Sequence, residues 1–334
     1  MRLQCSNQGC GQPLDREFSA FECPKCGDLL EVSSNGFRPD VSQLQAVWRE
    51  RRSSNAPADR SGVWRFREFL PAYPDDQIVT LAEGNTPLIP GIEAAKYADL
   101  SALEFKHLGW NPTGSFKDLG MTVAVTEARR RGARVVACAS TGNTAASMAA
   151  YAARAGMLAR VYLPKGKLSR AKVAQSLDYG AEVVEIDGNF DEALKLMMER
   201  KSVDEYFLNS INPFRIEGQK TAIFELMEQS NWQPPDYIVV PGGNLGNSSA
   251  FGKALKELHS IGLIDRVPRL VIVQAAGANP LVRTVATRAT GLSVVANPET
   301  CATAISIGSP RSWRKALQVL SFTKGLVLDV TDGE

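Results

Sequence analysis

From residue 103 onward, short apolar runs of strand length alternate with Ala-, Leu- and Glu-rich stretches of helical length. Strand candidates are Leu103–Leu108, Arg134–Ala139, Arg160–Leu163, Glu182–Ile186, Glu205–Leu208, Tyr237–Val240 and Leu270–Gln274. Several are continuous Val- and Ile-rich runs, the pattern of parallel strands covered on both faces. Ser169–Tyr179 and Asp191–Arg200 read as intervening helices, and Gly132, Gly156 and Gly180 stand where helices should stop. The alternation predicts an α/β fold with sites at the carboxyl ends of strands. A chain of 334 residues is long enough for two domains or more.

Three strand-to-helix junctions carry residues suited to chemistry. In Asn111–Asp118, ahead of the predicted helix Leu119–Arg131, Ser115 and Asp118 have the spacing of a capping box. Lys117 then lies in a first turn, where the positive end of the helix dipole favours its neutral, nucleophilic amine. An exposed lysine beside a cap has the same pattern. In Ser140–Thr144, before the Ala-rich helix Ala145–Ala155, hydroxyls and amides gather into an anion pocket, though plain capping also accounts for them. In Pro241–Ser248, between the strand Tyr237–Val240 and a helix Ser249–Leu258, three glycines let the backbone wrap a phosphate. That loop is neither a P-loop nor the dinucleotide Gly-x-Gly-x-x-Gly frame. A lysine, an anion pocket and a phosphate cradle on one α/β scaffold are what pyridoxal phosphate needs.

Four of six cysteines fall within the first 26 residues, as Cys5-x4-Cys10 and Cys23-x2-Cys26. Soft thiolates on short glycine-containing loops favour a tetrahedral zinc, and four protein ligands make such a site closed and structural. Four unrelated buried thiols are the alternative. The ribbon lacks a cluster of basic and aromatic residues around its loops, and the net charge of +2 gives no reason to expect a nucleic acid. Trp48–Arg52 reads as a solvated basic helix face, followed by a polar linker, Ser53–Gly62. No signal peptide opens the chain, and Arg154 and Arg160 break the apolar stretch Ala145–Val161, so a cytoplasmic protein without membrane attachment is expected. His107 and His259, the only histidines, show no triad or metal pattern, and Cys138 reads as a core residue.

The segment Leu81–Leu88, the Lys117 segment, Ser140–Thr144 and Gly242–Asn247 occur in the order found in threonine synthases, and Asn209–Arg215 narrows the resemblance to them. These belong to the fold type II (tryptophan synthase β-like) pyridoxal-phosphate enzymes, and several members also begin with a short cysteine ribbon. The resemblance covers roughly residues 60–334. It implies two α/β domains with parallel-rich sheets behind a small zinc ribbon: a ribbon at 1–31, a linker and helix at 32–62, a large cofactor domain from 63–118 and 212–334, and a small domain at 119–211. It further implies that Lys117 carries the cofactor and shuttles protons, and that Asn143 bonds the ring hydroxyl. Gly242, Gly243, Asn244, Leu245, Gly246 and Asn247 would hold the cofactor phosphate. Ser140 and Thr141 would hold the substrate carboxylate, and Thr144, Asn209, Ser210 and Arg215 the phosphate of O-phosphohomoserine. The implied activity forms L-threonine and phosphate in a homodimer. A cysteate synthase acting on O-phosphoserine and sulfite, or an inactive homologue serving as a binding protein, are the rival readings; a dehydratase has no need of Arg215. Family members continue beyond the equivalent of Asp329–Glu334, and that part usually supplies the Ser or Thr facing the pyridine nitrogen. The chain is therefore expected to be a fragment or a truncated form.

Overall fold

The computed structural model describes residues 1–33, 38–165, 170–187 and 204–334. They form two compact units, one from Met1–Val41, Ser210–Ile216 and Ser230–Glu334, the other from Ser42–Asn209 and Glu217–Gln229. The boundary expected at 118/119 lies inside the second unit. The expected helix Asp191–Arg200 lies outside the described residues.

The second unit is built on a four-stranded parallel sheet in the order Glu182–Ile186, Leu158–Pro164, Val135–Ala139, Glu205–Phe207. Its central strand carries buried Val136, Ala137 and Cys138, as a strand covered on both faces requires. Helix Lys117–Arg130 leads into the sheet, and helices Asn143–Ala155 and Arg170–Asp178 supply crossovers between its strands. Gly156 closes the second in a left-handed conformation at φ 68°, open to glycine without strain. The expected strand Leu103–Leu108 is extended only over Glu104–Lys106, and it pairs antiparallel with Leu88–Pro90. It therefore lies outside the parallel sheet.

The basic run at Trp48–Arg52 corrects the sequence expectation. It ends the helix Val41–Arg52, but Trp48 is fully buried and packs on Phe66, Phe69 and Phe224 at centroid distances of 4.9, 6.0 and 6.2 Å. Arg51 is bound to Glu68 and to the Arg65 carbonyl. This face is solvated only in part, because the aromatic cluster outweighs the charges beside it. Nor is Ser53–Gly62 a plain linker: Pro57–Arg60 is helical and Ser61 is buried.

The first unit holds a parallel sheet in the order Tyr237–Pro241, Arg269–Ala275, Leu326–Val330. Helices Gly246–Ser260 and Trp313–Thr323 approach so closely that a Cβ on Gly252 would lie 2.1 Å from Val319 Cγ2. The amino-terminal segment adds an antiparallel sheet, Pro13–Leu14, Arg2–Cys5 and Leu30–Ser33, with Cys5 opposite Leu30.

Candidate active site

In the second unit Lys117 is the first residue of its helix, and its Nζ lies 3.7 Å from the Phe116 ring centroid. The capping box expected here does not form. The Lys117 amide donates to Ser115 Oγ at 3.3 Å, while the buried Asp118 carboxylate turns away from Ser115. It accepts from Thr113 N–H at 2.7 Å, Thr113 Oγ1 at 2.6 Å and Ser147 Oγ at 2.5 Å. Thr113 lies nearer to hand, and Ser147 offers a tertiary partner that local spacing does not reveal. Asp118 thereby ties the start of the lysine helix to the helix that begins at Asn143.

That helix follows the strand Val135–Ala139 through Ser140, Thr141 and Gly142. Ser140 Oγ accepts from the Gly142 amide at 3.2 Å, and Asn209 Oδ1 accepts from the Ala139 amide at 3.3 Å. The second unit thus brings Ser140, Thr141, Asn143, Thr144 and Asn209 to the carboxyl end of one strand. Asn143 Oδ1 is buried without a hydrogen-bond partner among the described residues. An unsatisfied buried acceptor costs about 1–3 kcal/mol, so this oxygen fits a hydroxyl supplied by a ligand. Behind it, Tyr151 donates to the fully buried Glu83 at 2.6 Å. Burial, then the nearby Glu83 and Asp118 carboxylates, push the Tyr151 hydroxyl well above its usual value and keep it a donor. Burial likewise pushes the Glu83 carboxyl up.

In the first unit the strand Tyr237–Pro241 runs into the glycine loop. The Gly242 amide donates to Val273 O at 2.7 Å, and a Cβ there would meet Ile272 Cγ2 at 2.6 Å, so the turn admits only glycine. Leu245 is buried with φ 63° and forces the chain into the helix starting at Gly246. Asn247 Nδ2 donates back to Pro241 O at 2.9 Å, closing the loop. The first amides of Gly246–Ser260 have no carbonyl a turn earlier in the helix to bond, and they sit at the positive end of the dipole. A phosphate suits that position. Asn244 Nδ2 donates to Ser210 Oγ at 3.1 Å, which brings Ser210 to the loop. Arg215, 2% exposed, lies at the start of the helix Pro213–Gln229, where Asn212 Oδ1 caps the Phe214 amide at 2.9 Å.

The four early cysteines converge. Cys5 and Cys26 sulfurs are 3.4 Å apart, Cys10 and Cys23 sulfurs 3.8 Å, and all four lie within 4.8 Å of one another. A tetrahedron with metal–sulfur bonds of about 2.3 Å has edges of about 3.8 Å, so the donor set fits one such ion.

The family described as "Pyridoxal-phosphate dependent enzyme" matches residues 79–334. A threonine synthase of Methanocaldococcus jannaschii is 45% identical over 328 residues, covering 97% of this chain and 78% of that protein. The chain belongs to the threonine synthase family. A threonine synthase of Mycobacterium tuberculosis is 47% identical over 273 residues, 80% of this chain and 72% of that one. Among solved structures, a fungal L-serine ammonia-lyase from Rhizomucor miehei matches with a TM-score of 0.65 at 20% identity, over 75% of this chain and 76% of that one. A threonine deaminase from T.th. gives 0.61 at 21%, over 88% and 83%. These structures share the fold type II architecture, and pyridoxal phosphate is the cofactor of the family.

Two supports of the site were not visible as such in the sequence. Asp118 entered only as a cap, and Glu225 not at all. The Glu225 carboxylate accepts from the Asn85 and Thr86 amides at 2.6 and 2.8 Å, which fixes the Leu81–Leu88 segment. Nothing local marks Glu225, because its partners are some 140 residues away.

Proposed function

We propose that the chain converts O-phospho-L-homoserine and water to L-threonine and phosphate. The observation that carries this reading is the 45% identity to a threonine synthase over 328 residues, 97% of this chain. Pyridoxal phosphate, when bound, supplies an electron sink for the negative charge left at the substrate Cα. Lys117 would hold that cofactor, and the unsatisfied Asn143 Oδ1 would accept a hydrogen bond from its ring hydroxyl. The glycine loop Gly242–Asn247 would bind its phosphate through the amides that open the helix.

Lys117 Nζ takes the proton from the substrate Cα and returns protons later, as a general base and acid must. Ser140 and Thr141, with the first amides of Asn143–Ala155, bind the substrate carboxylate. Thr144, Asn209, Ser210 and Arg215 grip the substrate phosphate. A guanidinium stays charged and forks onto phosphate, so Arg215 selects a phosphorylated amino acid and steadies the group as it departs from Cγ. A proton lost from Cβ lets the phosphate depart, a proton gained at Cγ completes the methyl group, and water then adds at Cβ. Zinc as the ion on Cys5, Cys10, Cys23 and Cys26, a homodimeric assembly and a cytoplasmic setting complete the proposal. Metal analysis, light scattering and fractionation test those three. No helix among the described residues is long and apolar enough to cross a membrane.

The purified chain, loaded with pyridoxal phosphate, should release phosphate and threonine in equal amounts from O-phosphohomoserine, and Lys117→Ala should release neither. Consumption of O-phosphoserine with sulfite, and not of O-phosphohomoserine, would make the protein a cysteate synthase instead.

A further inference from the structure

The helix Trp313–Thr323 and the residues ahead of it carry a polar stripe toward the cysteine segment. Arg311, Arg314, Lys315 and Gln318 recur at the i, i+3, i+4, i+7 spacing of one helix face. Each reaches a different point around the thiols. Arg311 pairs with Glu22, and Arg314 Nη1 lies 3.2 Å from Asp28 Oδ1. Lys315 Nζ donates to Leu30 O at 2.9 Å, and Gln318 Nε2 donates to Ser6 O at 3.1 Å. Ser6 and Glu22 adjoin Cys5 and Cys23, and Leu30 pairs with Cys5 across the small sheet. From the helix Gly246–Ser260, Lys253 Nζ adds a bond to Val32 O at 2.5 Å.

The other end of this stripe meets the glycine loop. Arg311 N–H donates to Asn244 Oδ1 at 3.0 Å and Ser312 N–H to Asn244 O at 3.4 Å. Asn244 in turn holds Ser210. The helix Trp313–Thr323 is therefore fixed on one side by the cysteine segment and on another by the tight Gly252–Val319 contact, while its leading residues hold Asn244.

We propose that the cysteine ribbon is a positioning element for the loop that binds the cofactor phosphate. With a zinc-class ion on Cys5, Cys10, Cys23 and Cys26, the ribbon fixes the Arg311–Gln318 stripe, and the stripe fixes Asn244. Without the ion, four thiols on turn-rich loops lose their common anchor, because binding energy in such sites is folding energy. The segments carrying Ser6, Glu22 and Asp28 then loosen, and the grip on phosphate loosens with them. Arg311–Glu22 is exposed and contributes little alone; Lys315, 8% exposed and bonded to a backbone carbonyl, is the main link.

The inference rests on the reading that Gly242–Asn247 holds the cofactor phosphate, and the test separates the two. The full chain is prepared with its ion and after chelation under reducing conditions, with metal content measured. Each form is titrated with pyridoxal phosphate and with pyridoxal, which lacks the phosphate. Removing the ion should weaken pyridoxal phosphate about tenfold, or about 1.4 kcal/mol, and pyridoxal less than about twofold. Lys315→Met, with the ion retained, should reproduce part of this phosphate-specific loss, and it decides the matter if the stripped chain unfolds by circular dichroism. Equal weakening of both ligands, or unchanged affinities in K315M and in the folded stripped chain, overturns the proposal. Gly246→Asp puts a carboxylate at the helix start and should abolish the preference for the phosphorylated ligand. If G246D leaves that preference intact, the loop reading itself fails. If G246D removes it while ion removal and K315M do not, the coupling alone fails.

Discussion

Replacing Asp118 with Asn should loosen the start of the lysine helix, because one buried carboxylate there serves three donors. It accepts from Thr113 N–H, Thr113 Oγ1 and Ser147 Oγ at 2.7, 2.6 and 2.5 Å. Hydrogen bonds to a charged group contribute about 1.5–3 kcal/mol each, roughly twice the neutral value. An amide keeps one acceptor oxygen but turns N–H groups toward donors on its other side. At least one contact is then lost and the others fall to neutral strength, for a cost of about 2–4 kcal/mol. Ser147→Ala removes a single partner and should cost about 1–2 kcal/mol. Because the two residues share a bond, the double variant should cost about 1 kcal/mol less than the sum. Urea denaturation of the full chain at neutral pH, followed by circular dichroism, measures all three. Binding of pyridoxal phosphate, read by absorption, should weaken about tenfold in D118N as Lys117 and Asn143 lose their common tie. Strict additivity, or a D118N stability within about 0.5 kcal/mol of the parent, would refute the bridge.

Asn143→Ala should move stability and affinity in opposite directions. Deleting the unsatisfied Oδ1 should stabilise the cofactor-free chain by about 1 kcal/mol while weakening the cofactor, as denaturation with and without pyridoxal phosphate would show. Gly218→Ala would place a Cβ 1.8 Å from the Leu119 carbonyl oxygen. Backbone cannot yield as a side chain does, so a loss of about 3 kcal/mol or more is expected, and a thermal midpoint near that of the parent would contradict it. Glu68 carries the acid sensitivity of the amino-terminal aromatic cluster. Burial alone would raise its carboxyl, but hydrogen bonds from Arg51 and Trp48 outweigh burial and hold it below the ordinary value of 4.5. Its contribution is present above that value and is lost as pH falls through the lowered folded value. Glu68→Gln should therefore flatten the acid limb of stability below about pH 4.5 and leave the alkaline limb alone.

Parallel strands were legible where burial on both faces demands continuous apolar residues, as in Val135–Ala139 and Arg269–Ala275, whereas the largely exposed Leu326–Val330 was not among the expected strands. The positions of Lys117, Asn143 and the glycine loop were legible for a related reason: strand-to-helix junctions have local chemistry, in glycines, hydroxyls and helix starts. Partners distant in sequence left no such trace. Asp118 has cap spacing, yet its carboxylate is claimed by Ser147, 29 residues on. Trp48 sits in a run of arginines, yet its ring is claimed by Phe224, far along the chain. In both cases local spacing suggested one partner and tertiary packing supplied a better one.

The cysteine ribbon shows how a feature can be visible in sequence while its relation to the rest is not. Its cysteines announce themselves by spacing, which invites the picture of a separate module in front of the catalytic chain. The contacts argue otherwise. A free-standing ribbon needs a polar outer surface and makes no demands elsewhere, whereas this one is met by Arg314, Lys315 and Gln318 of one helix and by Arg311 just ahead of it. Lysines are rarely buried unless paired, and Lys315 is buried against a ribbon carbonyl although a solvent-facing residue would serve an idle surface equally well. The helix whose side chains donate these bonds is also the one whose leading residues hold Asn244. The ribbon is thus part of the first unit's framework, and a substitution among its cysteines should be read at the glycine loop as well as at the thiol cluster.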